Sequence, residues 1–341
     1  MRVGTIAYAT SQGLGHLAKS FYDAGVITDV IIFRHPHGEE RAPTHTEWYP
    51  EGTLILDKPP FAGEALERFL DDLDVMLYFE TPFDWGFADR CRRRKVTTAI
   101  IPMYEWFLER PPHKFDLFIN PSKLDQQYFP SGIHVPIPVE DDIVWSQREY
   151  AMNFLHNAGH IGSRNHKGTL ELLKAIPYVK SPINLTVRCQ NANGLRKLIV
   201  SAGLVRDDRV HFTFGEIPRD ELFTAKHDVY IAPEKYNGLS LPLQEAYASG
   251  MPVMSSRRFP NTDWLPNELL IPVSSTRRAQ TMGGHLSFDE SVMEPVGIAA
   301  MIDEWYGKPI SSISEMGRQY REANSWSALK PQYMKALESI L

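Results

Sequence analysis

The stretch PEKYNGLSLPLQEAYASGMPVMS, Pro233 to Ser255, reads as a loop, a helix and the start of a strand. Gly238 has no Cβ, so the segment Gly238-Leu239-Ser240-Leu241-Pro242 brings bare backbone N–H groups close to a ligand. Pro242 suits a first helical turn, and a helix start carries unpaired N–H groups that favour an anion. Glu245 follows about one turn in, within reach of sugar hydroxyls beside that anion. Gly250 closes the helix, and Met251-Pro252-Val253-Met254 begins the next buried strand. The pattern fits a ligand that is part phosphate and part polyol, such as a nucleotide sugar.

Outward from this segment, strand-like and helix-like runs alternate along the chain. Strands are predicted at Val3 to Ala9, Asp29 to Phe33, Thr53 to Leu56, Val75 to Tyr78, Thr97 to Ile101 and Leu117 to Asn120. The Pro- and acid-rich run IHVPIPVEDD then marks a break. A second series starts at Asn153, with strands near Asn184 to Val187, Val210 to Phe212 and Asp228 to Ile231. Such alternation implies parallel sheets covered on both faces. The predicted architecture is α/β, two Rossmann-like doubly wound domains over 1–137 and 153–325, joined by a linker over 138–152. A ligand is expected in the cleft between them, at the carboxyl ends of the strands.

The chain has 341 residues, an ordinary apolar fraction of 43% and a formal net charge of −6. That balance gives no overall pull toward nucleic acid or acidic membranes. One local exception is the basic run Arg90, Arg92, Arg93, Arg94 and Lys95 at a predicted helix C-terminus. The helix dipole accounts for cations there, and the sharper alternative is an anionic acceptor or peripheral membrane contact. Cys91 and Cys189 make no metal or CxxC spacing and fit reduced thiols of a cytoplasmic protein. His35, His37 and His45 fit no standard metal site. The N-terminal apolar run is too short for a signal peptide, and no run approaches the ~20 apolar residues that span a bilayer.

The Pro233 to Ser255 segment closely resembles the donor-site signature of the family 4 glycosyltransferases, which have the GT-B fold. That family carries Pro-Ser-x-x-Glu-Gly-Phe-Gly-Leu followed by Glu-Ala-x-Ala-x-Gly-x-Pro-Val. Pro233, Gly238, Leu241, Glu245, Ala246, Ala248, Gly250, Pro252 and Val253 fall in register with it. The resemblance implies a retaining, metal-independent glycosyltransferase. Its co-substrate would be a nucleotide-diphosphate sugar, with no resident cofactor. Its acceptor would be a glycan, lipid or small molecule. It also implies that the last helix, 326–341, crosses back to the first domain.

Other residues match the family one by one. Asn157-Ala158-Gly159-His160 and then His166-Lys167-Gly168 resemble its Gly-Arg strand end and downstream Lys-Gly, a cationic pair on the donor diphosphate. Fixed cations stabilise the charge that develops on a leaving diphosphate. Lys167 stands at the lysine position. His160 holds the arginine position, with Arg164 as its substitute. Phe214-Gly215-Glu216-Ile217-Pro218 resembles the loop that reads the nucleobase through backbone groups, with Gly215, Glu216 and Ile217 at its centre. Arg188 lies at a strand end, either facing ligand or pairing with an acid.

In the first domain, Ser11-Gln12-Gly13-Leu14-Gly15-His16 follows the first strand and opens a helix. By itself Gly13-Leu14-Gly15 is equally a tight turn or a phosphate loop. The family carries a Gly-rich loop here, facing the transferring sugar, which makes His16 a candidate acceptor contact. Tyr104, followed by Glu105, takes the place of the family histidine that touches that sugar. A phenol can hydrogen-bond a hydroxyl but is a poor base near neutral pH. Asn237 replaces the first glutamate of the family's Glu-x7-Glu pair, keeping hydrogen bonds and losing charge. Glu234 lies nearby as a compensating acid. Two alternatives follow: a non-catalytic nucleotide-sugar binder, and a glycosyltransferase acting on modified nucleic acid, which the acidic charge disfavours.

Overall fold

The computed structural model describes residues 1–34, 43–106, 115–159, 165–204, 207–218, 221–238, 240–280 and 287–341. They form two compact units. One comprises Met1–Pro138, Gln280–Leu286 and Trp326–Leu341, the other Val139–Ala279 and Ser287–Ser325.

The first unit is built on seven strands: β1 (Val3–Ala7), β2 (Asp29–Phe33), β3 (Ile55–Leu56), β4 (Val75–Glu80), β5 (Thr97–Pro102), β6 (Leu117–Asn120) and β7 (Ile133–His134). Their order is β3-β2-β1-β4-β5-β6-β7, and the neighbouring pairs are parallel. Helices α1 (Gly13–Asp23), α2 (Glu64–Asp71), α3 (Trp85–Arg93) and α4 (Lys123–Tyr128) follow the strands in the chain. Every residue of β1 is buried, as covering on both faces of a parallel sheet requires. Strand order reverses between β1 and β4, which makes the carboxyl ends of these two strands the switch point of the sheet.

The second unit carries β8 (Asn153–Gly159), β9 (Asn184–Cys189), β10 (Val210–Phe214), β11 (Val229–Ala232), β12 (Val253–Ser256) and β13 (Leu270–Ile271). These too pair in parallel, in the order β10-β9-β8-β11-β12-β13. Its switch point lies between β8 and β11. Beside β14 (Ser275–Gln280) runs β15 (Ser287–Val292), a two-stranded sheet that the periodicity does not announce. The helices are α5 (Thr169–Ala175), α6 (Ala192–Ala202), α7 (Leu241–Ala248), α8 (Asn261–Trp264), α9 (Pro295–Trp305) and α10 (Ser311–Ala323).

Two stretches at the unit borders have a clear physical basis. The expected linker over 138–152 is instead structured within the second unit from Val139 onward. There Arg148 is buried and donates to the carbonyl oxygens of His227 (2.7 Å) and Thr224 (3.2 Å), while the Trp145 indole donates to Ser314 O at 3.1 Å. The last helix, α11 (Trp326–Glu338), packs with the first unit. Its Trp326 ring meets Phe21 edge-on at 4.8 Å and donates from Nε1 to Ser20 Oγ at 2.8 Å. Tyr333, fully buried, donates to Pro136 O at 2.9 Å.

Three arginines of the basic run meet acids: Arg90 and Arg94 pair with Glu67, Arg94 with Asp71 and Arg92 with Asp89. Arg90 and Arg94 thus tie the end of α3 to α2, while the Arg92 pair lies within α3. Among the described residues no helix is long and apolar enough to cross a membrane.

Candidate functional site

The carboxyl ends of β8 and β11 bring together several buried polar groups of the second unit. The turn Asn165 to Gly168 leads from β8 into α5, and the loop Pro233 to Ser240 leads from β11 into α7. The Lys235 amide donates to His166 O at 2.7 Å, and the His166 and Tyr236 rings lie 5.7 Å apart. Gly168, at φ +70°, fits so closely that an added Cβ would lie 1.9 Å from the Pro233 carbonyl oxygen. These contacts fix the turn and the loop as one piece, and Lys167 stands on it. Its Cε comes within 3.7 Å of the point where a Gly159 Cβ would sit, at the very end of β8. Among the described residues no carboxylate pairs with Lys167.

His156 supports this corner from below. It is fully buried, with Nδ1 2.7 Å from Ile231 O and Nε2 2.8 Å from Thr169 Oγ1. A carbonyl only accepts, so Nδ1 carries the proton and Nε2 accepts from the threonine hydroxyl. Burial, reinforced by the Lys167 charge, pushes the imidazole down to about 4. It is therefore a neutral strut between β8, β11 and the start of α5.

The β11 to α7 loop is held by buried polar groups. Glu234 is 1% exposed; Ser240 donates to its Oε1 at 2.7 Å, and Ser256 donates to its backbone oxygen at 2.5 Å. The Ser240 hydroxyl, thus engaged, does not cap α7, which leaves that helix start without a side-chain cap. Glu234 is committed inward, so the compensating role expected of it beside Asn237 does not fit its position. Arg258, largely buried, donates from Nη1 to Asn237 O at 2.8 Å and lies 3.9 Å from Glu234 Oε2. Lys235 is saturated by Glu171 at 2.8 Å and Glu290 at 3.7 Å, and Glu290 also takes Arg277 of β14 at 2.8 Å. Lys235 is therefore neutralised where Lys167 is not.

Of the predicted donor residues, Gly238 and Ser240 are buried in this loop, while Asn237, Leu241 and Glu245 are half-buried. Tyr230 on β11 is buried among them. Burial first, and then the charges of Glu234 and Glu245, raise its phenol far above the usual range. Arg188 donates to Leu222 O at 2.5 Å, and burial lowers its pKa, with Glu221 and Tyr230 opposing. Gly215, at the end of β10, donates from its amide to Cys189 O at 3.1 Å; it and Glu216 are exposed, and Ile217 is half-buried. Arg164, His160 and Leu239 lie outside the described residues, as do His35 and His37.

In the first unit, Gly13 opens α1 and Gly15 touches the end of the β1 loop: a Cβ there would lie 2.1 Å from Thr10 O. His16 is half-buried, 5.2 Å from the Trp48 ring, which also stacks on His45 at 4.8 Å. Tyr104 is different from expectation. Its ring is 1% exposed, stacked on Tyr128 at 4.6 Å and 7°, and its amide donates to Asp125 at 3.1 Å. The Tyr104 ring is thus buried beside Tyr128. Glu105 beside it is buried as well.

Three participants escaped the motif comparison: His156, Arg258 and Glu290. Arg258 had a legible signal, a cation just past the strand end Ser255-Ser256. The other two act through contacts distant in sequence.

Residues 155–279 match a family model described as "Glycosyl transferases group 1". No curated protein matches the chain. Solved structures match over its whole length. HepE from Anabaena, in complex with UDP and glucose, superposes with a TM-score of 0.69 at 11% identity, covering 99% of this chain and 100% of that one. The pneumococcal O-GlcNAc transferase GtfA, in complex with UDP and GlcNAc, gives 0.67 at 11%, covering 100% and 99%. Sucrose-phosphate synthase from Thermosynechococcus elongatus gives 0.67 at 14%, covering 100% and 99%. At these identities the likeness establishes the fold, two Rossmann-like units of the GT-B type.

Proposed function

We propose that this chain, with a glycosyl transferases group 1 segment in its second unit, is a glycosyltransferase that takes a sugar from a nucleotide-diphosphate sugar and passes it to an acceptor hydroxyl. The observation that carries this reading is the fixed pairing of the Lys167 turn with the loop into α7. It sets a lysine that has no carboxylate partner among the described residues on a turn bonded to the loop that leads into a helix start without a side-chain cap. A diphosphate fits both.

In this reading Lys167, together with the amides from Gly238 to Leu241, meets the charge that grows on the diphosphate as its oxygen leaves the anomeric carbon. Glu245 hydrogen-bonds the ribose, and the backbone of Gly215 to Ile217 reads the base. Arg164 adds a second cation. Asn237 hydrogen-bonds the sugar without charge. The acceptor oxygen forms the new bond, and we carry retention at the anomeric carbon and metal independence as parts of the proposal. UDP is bound in the HepE and GtfA structures named above, which makes it the first probe.

Calorimetry with UDP and UDP-glucose is the direct test. Binding that weakens at least tenfold in both Lys167→Ala and Glu245→Ala supports the site. Unchanged binding in both variants removes it. One observation favours a second reading, a nucleotide-sugar binder without turnover: Glu234 is buried against Ser240 and supplies no acid in place of the one Asn237 lacks. Donor binding without hydrolysis or transfer in any condition would support that alternative.

A further inference from the structure

Glu80 ends β4 at the switch point of the first sheet, in register with Pro102 of β5 and beside the end of β1. Its backbone is left-handed, at φ +61°. A residue with a Cβ pays roughly 1–2 kcal/mol for that conformation, and such strain persists where surrounding structure holds a side chain in place for a task. The side chain is half-buried, yet it makes no ion pair or hydrogen bond among the described residues.

Its surroundings are aromatic and hydroxylic. Burial first, and then the Glu80 charge, raise the phenol of Tyr8, just past β1. The Tyr8 ring lies 4.5 Å from Phe83 and 5.5 Å from Phe33, and Tyr8 and Phe83 are both half-buried. The hydroxyls of Thr10 and Thr81, in the loops that leave β1 and β4, are buried without a hydrogen-bond partner. Gly15 packs the α1 start against the Thr10 backbone, so the Gly-rich loop stands at the same strand ends. Burial pushes the carboxyl up to about 7, consistent with a group shielded from water and not neutralised by a cation.

A carboxyl with free oxygens accepts hydrogen bonds from adjacent hydroxyls, and aromatic faces pack against the C–H face of a pyranose ring. We propose that Glu80 is a substrate-binding residue that grips the hydroxyls of a pyranose acceptor in the crevice outside β1 and β4. This deepens the glycosyltransferase reading and rests on it for the word acceptor.

The test is ligand-observed NMR with a panel of p-nitrophenyl pyranosides, run in the presence of UDP on the full chain. Two variants are compared. Glu80→Gln keeps the shape, and Glu80→Gly keeps the left-handed backbone at lower strain. The wild-type protein is expected to bind at least one glycoside. Both variants should bind it about tenfold more weakly or worse, with UDP affinity by calorimetry unchanged. A glycoside that binds both variants as it binds the parent overturns the proposal, and so does a panel that the parent ignores. Loss of UDP binding by the parent, with glycoside binding still dependent on Glu80, overturns the donor reading alone.

Discussion

Arg258 donates from Nη1 to the carbonyl oxygen of Asn237 at 2.8 Å, while its other terminal nitrogen lies 3.9 Å from the buried carboxylate of Glu234. One guanidinium thus holds the backbone of the loop that leads into α7 and balances the acid beneath it. Removing one partner of a buried charge pair strands the other. We expect Arg258→Met to cost about 3 kcal/mol in denaturant unfolding and to weaken UDP binding. Glu234→Gln added to it should cost less than the sum of the two single changes, by at least about 1 kcal/mol. Additive losses would show that the pair does not act as a unit.

Gly168 and Gly203 offer a matched contrast. Both are left-handed, at φ +70° and +64°, but a Cβ on Gly203 meets nothing within 4 Å, whereas one on Gly168 strikes the Pro233 carbonyl. Gly203→Ala should therefore cost only the conformational strain, about 1 kcal/mol. Gly168→Ala must also push the Lys167 turn off the Pro233 loop. It should be the more destabilising by at least about 1 kcal/mol and should weaken UDP binding, which Gly203→Ala leaves alone. Equal thermal shifts with equal UDP affinity would break the claim that turn and loop are one piece.

Lys167 predicts a separation of binding from stability. Being half-exposed and without an acid partner among the described residues, its removal should change unfolding free energy by no more than about 0.5 kcal/mol. UDP affinity should nevertheless drop, and the affinity remaining in Lys167→Ala should depend less on salt than that of the parent. UDP affinity of the parent should survive EDTA if lysine and amides suffice for the diphosphate. A variant that loses stability and affinity together would place Lys167 in the scaffold instead.

The sheets were legible because parallel strands buried on both faces read as apolar runs, as at Val75 to Tyr78 and Val229 to Ile231, while Asn184 to Val187 shows the alternation of a half-buried strand. The loop into α7 was legible because helix starts and stops have local chemistry in Pro242 and Gly250. What escaped depends on long-range packing. Tyr104 looks polar enough for a ligand, but Tyr128, on a helix 24 residues later in the sequence, covers its face. Glu234 looked like a spare acid until Ser240 and Ser256 closed on it. The strand β14 is polar and mostly exposed, and β15 buries Glu290 and Ser291 beside Phe288, so polar/apolar alternation gives no contrast there. Glu80 hid as the last residue of an apolar strand, since neither a positive φ nor a switch point is written in local composition.

Glu80 also sets a pH dependence whose sign can be worked out. Its carboxyl is raised to about 7 in the folded chain, against roughly 4.3 when unfolded. Below the unfolded value both states hold the proton and the raised pKa costs nothing. As pH rises toward and through 7, the unfolded state has released its proton while the folded state is forced to release one from a water-poor site, so stability is lost. For a half-buried group this amounts to about 2 kcal/mol. His156 acts in the opposite sense. Lowered to about 4, it removes stability as pH falls below its unfolded value and onward through 4. Both chains carry His156 equally, so the difference between parent and Glu80→Gln isolates the carboxyl. That difference should favour Glu80→Gln increasingly from pH 5 to about pH 7 and level off above it, by about 2 kcal/mol in urea unfolding. A difference that stays flat across this range would mean that Glu80 is as well solvated folded as unfolded, and the crevice around it would lose its shielding.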